Sequence, residues 1–199
     1  KTIEGDLKRR DFSINAIAFL FDKKLLFDPL NGIKDIEISL IRTYSETNLI
    51  EDPLRILRCF RFVSELQFNI ESKLTTLIKK YKGSICLVAN ERINYEIQRI
   101  ITGVNAIQSI TFIKKFEIFG IQEIYEDTSF LDLNKINYEH LNQRERKQFL
   151  PLFFLSQILD KVSLERLKFS KAEILKINLL RKWNITLKNR TISQLNEAE

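Results

Sequence analysis

The sequence is poor in the residues that break helices and cross-link small domains. It contains 5 glycines and 3 prolines among 199 residues, and this scarcity favours long helices over a turn-rich β-sandwich. The two cysteines, Cys59 and Cys86, lie in apolar surroundings without CxxC spacing, which is typical of free thiols in a reducing compartment. A single histidine, His140, argues against a His-rich metal site and against a histidine-based catalytic triad.

Two further absences concern the surroundings and the ends of the chain. No apolar run approaches the length of a membrane span, and no signal peptide is visible. The sequence therefore predicts a cytoplasmic protein without a membrane partner. Methionine is absent altogether, and the chain opens on Lys1. On these two observations we expect the chain to be a fragment.

Apolar residues and positive charge are what the sequence has in quantity. Apolar residues make up 44% of the chain and include 15 phenylalanines, which is enough for a core and argues against disorder. The formal net charge is +6 and the pI is near 9.3. This balance suits a polyanionic partner such as nucleic acid, and equally a solvated surface with a few extra lysines.

Helical periodicity dominates the second, longer part of the chain. The first part predicts a helix that starts at Asp11 or Ser13, a strand at 24–27, a tight turn over DPLNG and an extended stretch at 36–43. A lone pair of strands is marginally stable, so we expect these strands to be the edge of a larger sheet. The predicted fold class is mainly α with a small residual α+β part. The expected helices beyond it cover residues 53–66, 70–81, 90–103, 105–119, 142–158, 164–169 and 170–183.

The most informative stretch is EDPLRILRCFRF. A helix that begins near Pro53, with Asp52 as its N-cap, places Arg55, Arg58 and Arg61 at successive i, i+3 positions on one side. Taken alone, this pattern is more typical of a salt-bridged surface than of a site.

A second charged cluster, Arg9, Arg10 and Asp11, lies immediately before the first predicted helix. Arginines and free N–H groups that converge at a helix start can bind phosphate. A solvated turn ahead of a helix has the same composition, and taken alone it is the commoner explanation.

Four patterns stand in a set order along the chain: RRD, DPLNG with a later Ile-Arg pair, EDPLR and ERINYE. Together they resemble the class II tRNA nucleotidyltransferases, the CCA-adding enzymes, and the related bacterial poly(A) polymerases. The motifs of that family run RRDFTINAIA, DPxGGxxD, EDxxRxxRxxRF and ERxxxE. Asn31 replaces the first glycine of the DPxGG turn, which is a mild departure because asparagine also adopts positive φ.

The resemblance implies three domains. Residues 1–47 would be the C-terminal part of a nucleotidyltransferase head, whose remaining strands would complete the sheet. Residues 48–110 would form a helical neck that reads the nucleobase. Residues 111–199 would form a helical body that binds the acceptor arm of tRNA through shape and phosphates.

The resemblance also implies that Asp52 and Arg55 read the incoming base. Cytosine and adenine each present an amino donor beside a ring-nitrogen acceptor, whereas uracil and guanine present the reverse. Asp52 would accept from the amino group, and Arg55 would donate to the ring nitrogen. A wrong base would leave buried polar groups unpaired, which can discriminate by about 10⁴.

Further contacts to the nucleotide follow from the same resemblance. Arg9, Arg10 and Asp11 would hold the ribose and the triphosphate, and Arg58 and Arg61 would meet phosphates. A separate set would steady the site without taking part in catalysis: Glu51, Glu91, Arg92 and Glu96.

The metal-binding part of the family pattern is missing. The family uses two metal ions, held by a DxD pair before RRD, and no DxD pair precedes RRD here. The ions, Mg²⁺, would activate the primer hydroxyl and neutralise the triphosphate. We therefore expect no catalytic and no metal-binding residue within this chain. The later acidic residues at 123–132 are typical of the exposed surface at a helix end.

The resulting hypothesis is a template-independent enzyme that adds C and/or A to the tRNA 3′ end from CTP and ATP. An enzyme that adds only C or only the final A is a further possibility within the family. Two alternatives stay open: a bacterial poly(A) polymerase, and a non-catalytic RNA-binding module that kept the helical scaffold.

Overall fold

The structure is a computed structural model that describes residues 2–119 and 143–189. Contacts divide the chain into two compact units, Lys1–Gly120 and Ile121–Glu199, and each is described by itself. Helices dominate and short strands are few, which confirms the predicted fold class. In the two described ranges, no helix combines the length and the apolar character needed to cross a membrane.

The first unit begins with short elements and continues with longer helices. Its helices are α1 (Ile3–Lys8), α2 (Gly32–Glu37), α3 (Glu46–Glu51), α4 (Arg55–Leu66), α5 (Ser72–Tyr81), α6 (Asn90–Thr102) and α7 (Ala106–Lys115). Its strands are β1 (Ala18–Leu20), β2 (Leu25–Phe27), β3 (Leu40–Ile41) and β4 (Asn69–Ile70). Its 3₁₀ turns are Ser13–Asn15, Phe21–Lys23 and Lys82–Leu87.

The strands of the first unit form two separate pairs. β1 pairs antiparallel with β2, with Phe19 opposite Leu26, and β3 pairs in parallel with β4. The prediction of a helix that starts at Asp11 or Ser13 is therefore wrong. The chain makes one 3₁₀ turn and then enters a strand, because backbone pairing with β2 outweighs the local apolar spacing.

The extended stretch predicted at 36–43 is also corrected, since the structure divides it between the end of α2 and β3. Asp28 explains the helix: its carboxylate accepts from the N–H groups of Gly32 at 2.7 Å and of Ile33 at 2.9 Å. These are N–H groups that a helix start leaves without an intrahelical partner. Asn31 has a φ of 56°, so the tight turn predicted over DPLNG is confirmed.

α4 is the central helix of the first unit, where it packs against α6 and α7. Ile56, Leu57, Phe60 and Val63 are fully buried along it, with the spacing of a core-facing stripe. Cys59 is buried in the same helix, and both cysteines are free thiols as predicted. Burial raises the pKa of the Cys59 thiol, which keeps it unreactive.

The junction between α6 and α7 comes unusually close to α4. Ser64 donates from Oγ to the carbonyl of Ile100 at 2.6 Å, and its own carbonyl accepts from the N–H of Asn105 at 2.8 Å. A Cβ atom added to Gly103 would lie 2.1 Å from Oγ of Ser64. This approach therefore requires a residue without a side chain at position 103.

Most helices predicted for the first unit are confirmed, with shifted ends. α4 begins at Arg55 rather than near Pro53, and Asp52 caps the preceding turn by accepting from the N–H of Leu54 at 3.3 Å. α5 begins after residue 70 because that residue pairs in β4. α6 begins at Asn90 and ends at Thr102, one residue before the predicted end.

The second unit consists, in its described part, of α8 (Gln143–Ile158), α9 (Lys161–Arg166) and α10 (Lys171–Asn189). α10 packs against α8 and α9, and Phe153 and Phe154 are buried, as expected for core residues. α9 starts earlier than predicted because Asp160 caps it, accepting from the N–H of Ser163 at 2.6 Å. The acidic stretch at 123–132 lies outside the described residues.

Candidate functional site

An open cavity of about 350 Å³ lies where the end of α1 meets the start of α4. Its lining combines four arginines with three aspartates and one asparagine. A lining of this kind suits a polar, anionic ligand, because guanidinium groups bind phosphate and carboxylate oxygens in pairs. The lining residues are Asp6, Arg9, Arg10, Asp11, Asn15, Asp52, Arg55 and Arg58.

Asp11 is a buried anchor of this cavity, with 4% exposure. One carboxylate oxygen accepts from Nδ2 of Asn15 at 2.5 Å and from the N–H of Phe12 at 3.1 Å. The other accepts from Nε of Arg58 at 2.5 Å. Asp11 lines the cavity, and the contact with the ribose and triphosphate implied for it stays a prediction. Its carboxylate fixes Arg58, whose side chain is 32% exposed, at the cavity wall.

Arg55, the first residue of α4, is held by two backbone carbonyls. Its Nη1 donates to the carbonyl of Asn48 at 3.0 Å, and its Nη2 donates to the carbonyl of Arg9 at 2.7 Å. A guanidinium has five N–H groups in a rigid plane, so further donors are available to a ligand. The orientation of the plane is set before any ligand binds.

Asp52 lies in the turn between α3 and α4, beside the start of α6. One of its oxygens accepts from the N–H of Leu54, and the other accepts from Nη2 of Arg92 at 2.9 Å. Each carboxylate oxygen has a second lone pair, so Asp52 retains the capacity to accept from a ligand. The structure thus places Arg92, predicted to steady the site, in contact with the carboxylate predicted to read the base.

Arg9 and Arg10 also line the cavity, and their side chains are more exposed than that of Arg58. Their guanidinia lie 3.3 Å and 3.5 Å from the two oxygens of Asp6, and their side chains are 59% and 51% exposed. Exposed pairs of this kind contribute little to stability. Both guanidinia can therefore exchange Asp6 for an anionic ligand.

Arg61 does not line the cavity, and the prediction that it meets a phosphate is corrected. Its side chain is 7% exposed, and its Nε lies 3.0 Å from Oε2 of Glu96, which is 3% exposed. The two atoms are close without the alignment of a hydrogen bond, so the contact is a buried ion pair. Each i, i+3 step turns a side chain back by about 60°, and two steps from Arg55 bring Arg61 into the interface with α6.

Glu96 is the acidic partner on α6 for two arginines of α4. Besides Arg61, Nη1 of Arg58 lies 3.9 Å from its carboxylate. Burial raises the pKa of the Glu96 carboxyl, while the guanidinia of Arg61 and Arg58 act in the opposite direction. Glu96 therefore links α4 to α6 behind the cavity, and its support of a nucleotide site stays a prediction.

Comparison with known proteins agrees with the order of the motifs. A family model, the poly(A) polymerase head domain, matches residues 1–42. A CCA-adding enzyme of Staphylococcus aureus (strain Newman) is 34% identical over 176 residues, which cover 87% of this chain and 42% of that protein. A CC-adding tRNA nucleotidyltransferase of Synechocystis is 36% identical over 100 residues, 50% of this chain and 24% of that protein.

Solved structures show the same likeness along almost the whole chain. The Thermotoga maritima CCA-adding enzyme complexed with tRNA has a TM-score of 0.73 and 26% identity, covering 94% of this chain and 50% of that one. The Bacillus stearothermophilus CCA-adding enzyme in complex with CTP has a TM-score of 0.71 and 26% identity, covering 90% and 46%. The chain belongs to the class II tRNA nucleotidyltransferase family. It spans half or less of the length of these relatives.

The cavity gathers most of the residues that the motifs single out. Among the expected supporting residues, Glu51 ends α3 and Glu91 lies in the first turn of α6, and both are exposed. The predicted nucleotide-binding residues that line the cavity are Arg9, Arg10, Asp11, Asp52, Arg55 and Arg58.

Three residues at or behind the cavity were not predicted from the sequence. Asp6 precedes the two arginines at the spacing of helical ion pairs, which is a usable local signal. Asn15 follows Asp11 by four residues and donates to it. Asn48 carries no local signal, because its side-chain partners lie about forty residues earlier in the chain.

Proposed function

We propose that this protein is a template-independent tRNA nucleotidyltransferase that adds C and/or A to the tRNA 3′ end from CTP and ATP. The observation that supports this most is that one cavity holds Asp52 and Arg55 together with the exposed Arg9 and Arg10. A carboxylate and a guanidinium can read a base edge, and two exposed guanidinia can bind a triphosphate.

Asp52 and Arg55 select the base in this proposal. The carboxylate of Asp52 accepts from the exocyclic amino group of cytosine or adenine, and Arg55 donates to the adjacent ring nitrogen. Uracil or guanine would place a carbonyl against the carboxylate and an N–H group against the guanidinium. Because Arg92 and two backbone carbonyls already hold this pair, it cannot easily rearrange to suit the wrong base.

Arg9, Arg10 and Arg58 bind the phosphates in this proposal. Arg9 and Arg10 exchange the carboxylate of Asp6 for triphosphate oxygens, which carry more charge. Arg58 is held by Asp11 through Nε alone, and it donates to the ligand from its remaining N–H groups.

We expect Mg²⁺ as the cofactor of nucleotide addition, where it neutralises the triphosphate and activates the primer hydroxyl. The described residues do not fit a site for it. Among residues 2–119 and 143–189 no group of three or more potential ligands could hold a metal, and Asp11 and Asp52 are already engaged by Arg58 and Arg92. The cavity residues therefore bind and orient the nucleotide, and no chemical step is assigned to them.

We further propose that residues 1–47 belong to the head, 48–110 to the neck and 111–199 to a tRNA-binding body, in a protein that works in the cytoplasm. The unit that ends at Gly120 would then contain the head part, the neck and the start of the body. The structural relative from Thermotoga maritima is complexed with tRNA, and the net charge of +6 suits an RNA partner.

The test is incorporation of single labelled nucleotides into a tRNA that ends before CCA, using the full-length protein with Mg²⁺. We expect incorporation of CTP, ATP or both, with UTP and GTP rejected by about 10³-fold or more. Incorporation of A alone onto any RNA 3′ end would identify a poly(A) polymerase. Binding of tRNA without incorporation of any nucleotide would identify an RNA-binding module.

The same assay tests the assignment of Arg55. In Arg55→Ala the donor to the ring nitrogen is lost, and we expect the preference for CTP and ATP over UTP and GTP to fall by about 10²-fold. Arg99→Ala is the control, because that guanidinium pairs with Glu65 at 2.7 Å outside the cavity lining. An unchanged preference together with a lowered melting temperature would refute the assignment.

A further inference from the structure

Asn48 is a buried polar residue behind the cavity, with 3% exposure. Its Nδ2 donates to the carbonyl of Lys8 at 3.1 Å and to that of Arg10 at 2.6 Å. The backbone carbonyl of Asn48 accepts from Nη1 of Arg55 at 3.0 Å. One residue thus contacts both the RRD segment and the arginine assigned to the base.

Three successive carbonyls at the end of α1 are held by two side chains. Asn48 binds the carbonyls of Lys8 and Arg10, and Nη2 of Arg55 binds the carbonyl of Arg9 at 2.7 Å. Carbonyls at a helix end have no N–H partner within the helix, so these donors decide the path of the backbone. The same backbone carries the side chains of Arg9 and Arg10 into the cavity.

We propose that Asn48 is a positioning residue for nucleotide selection: it ties Arg55 to the backbone that carries Arg9 and Arg10. This proposal rests on the proposed nucleotidyltransferase function. The base and the triphosphate are parts of one ligand, so base reading and phosphate binding succeed together only if their protein partners keep a fixed spacing. Asn48 sets that spacing without touching the nucleotide.

The chemistry of the amide explains why asparagine suits this position. An amide nitrogen donates two hydrogen bonds, and a carboxylate of the same shape donates none. Asn48→Asp therefore keeps the side-chain volume while placing two acceptors against two carbonyls. Asn48→Ala removes the donors without adding a charge, and it carries the test should Asn48→Asp not fold.

The experiment measures kcat and KM for CTP, ATP, UTP and GTP with the full-length protein and a tRNA that ends before CCA, well below the melting temperature of every variant. In Asn48→Ala we expect KM for CTP and ATP to rise by about tenfold and the preference over UTP and GTP to fall by about tenfold. A merely structural contribution would lower the folded fraction and hence kcat, leaving KM and the preference unchanged.

Ser109→Ala is the matched control, because it removes a buried hydrogen bond of the same unit outside the cavity lining. Ser109 donates from Oγ to the carbonyl of Phe60 at 2.7 Å. We expect this variant to lose stability while keeping its KM values and its preference. If Asn48→Ala behaves like Ser109→Ala, the positioning role is overturned and the proposed function stands. If the wild-type protein incorporates no nucleotide, the proposed function fails and the positioning role fails with it.

Discussion

Arg55, Arg58 and Arg61 follow one another at i, i+3 spacing on α4, and their guanidinia meet three kinds of partner. Arg55 donates to backbone carbonyls, Arg58 to the buried carboxylate of Asp11, and Arg61 pairs with Glu96 inside the unit. The steady rotation of the helix explains this difference, since each step carries the side chain from the cavity towards the interface with α6. Residues of one type on one helix therefore divide between lining the cavity and packing within the unit.

The buried ion pair of Arg61 and Glu96 gives a testable prediction at the scale of single residues. Arg61→Met or Glu96→Met alone leaves a buried charge without its main partner, and we expect each to lower the free energy of unfolding by about 3–5 kcal/mol. The double variant Arg61→Met/Glu96→Met replaces both charges with apolar groups, and we expect it to lose less than the sum of the two single changes. Urea denaturation of the three variants measures this coupling.

An exposed pair provides the comparison for this cycle. Lys8 lies 2.6 Å from Glu4, and both side chains are at least one-third exposed. We expect Lys8→Ala to change the free energy of unfolding far less than either single change at the buried pair, because an exposed ion pair contributes little to stability. Strictly additive losses at Arg61 and Glu96 would show that the two charges do not stabilise each other.

At the scale of elements, the contact between α4 and the junction of α6 and α7 depends on one missing side chain. In Gly103→Ala the new Cβ would lie 2.1 Å from Oγ and 2.9 Å from the carbonyl carbon of Ser64. We expect the helices to separate, with a loss of about 1–3 kcal/mol in the free energy of unfolding. Thermal and urea denaturation both report this change.

Gly83→Ala is the matched control for this substitution. A Cβ at Gly83 has no other atom within 4 Å, so the alanine finds open space. We expect a change between no effect and a stabilisation of about 1 kcal/mol, because alanine restricts the unfolded chain. Equal losses at Gly83 and Gly103 would mean that the close approach at Ser64 is not what limits position 103.

The elements that were predictable are those whose signal is local. α4 and α6 follow from apolar residues at helical spacing, and their central positions are indeed buried. β1 and α2 were missed because the first depends on backbone pairing with β2 and the second on the carboxylate of Asp28. In the site, the motifs indicated Arg55 and Asp52, whereas the burial of Arg61 depends on a partner 35 residues away on α6.

At the scale of the whole molecule, the excess of positive charge predicts that the proposed RNA binding depends on salt concentration. The chain carries 32 lysines and arginines against 26 aspartates and glutamates. Each phosphate that binds such a cation releases a counterion, so we expect the affinity for tRNA to fall by about tenfold or more between roughly 50 and 200 mM KCl. Filter binding across that range gives the slope.

Binding of a neutral dinucleotide analogue is the control for this measurement, since it releases no counterions and its affinity should stay nearly constant. A tRNA affinity that does not depend on salt would show that the basic residues are solvated surface rather than a contact for phosphates.

The hydrogen bonds that shape the cavity join segments far apart in the chain. Asn48 and Arg55 reach back to the carbonyls of Arg10 and Arg9 across 38 and 46 residues, and Arg58 reaches Asp11 across 47. The entropy of closing this loop must be overcome before any of these bonds can form. During synthesis the RRD segment therefore leaves the ribosome as an open chain, and the cavity closes only after α4 has followed it. A nucleotide that binds only the closed form stabilises it by mass action, so the proposed substrates CTP and ATP would also stabilise the folded first unit.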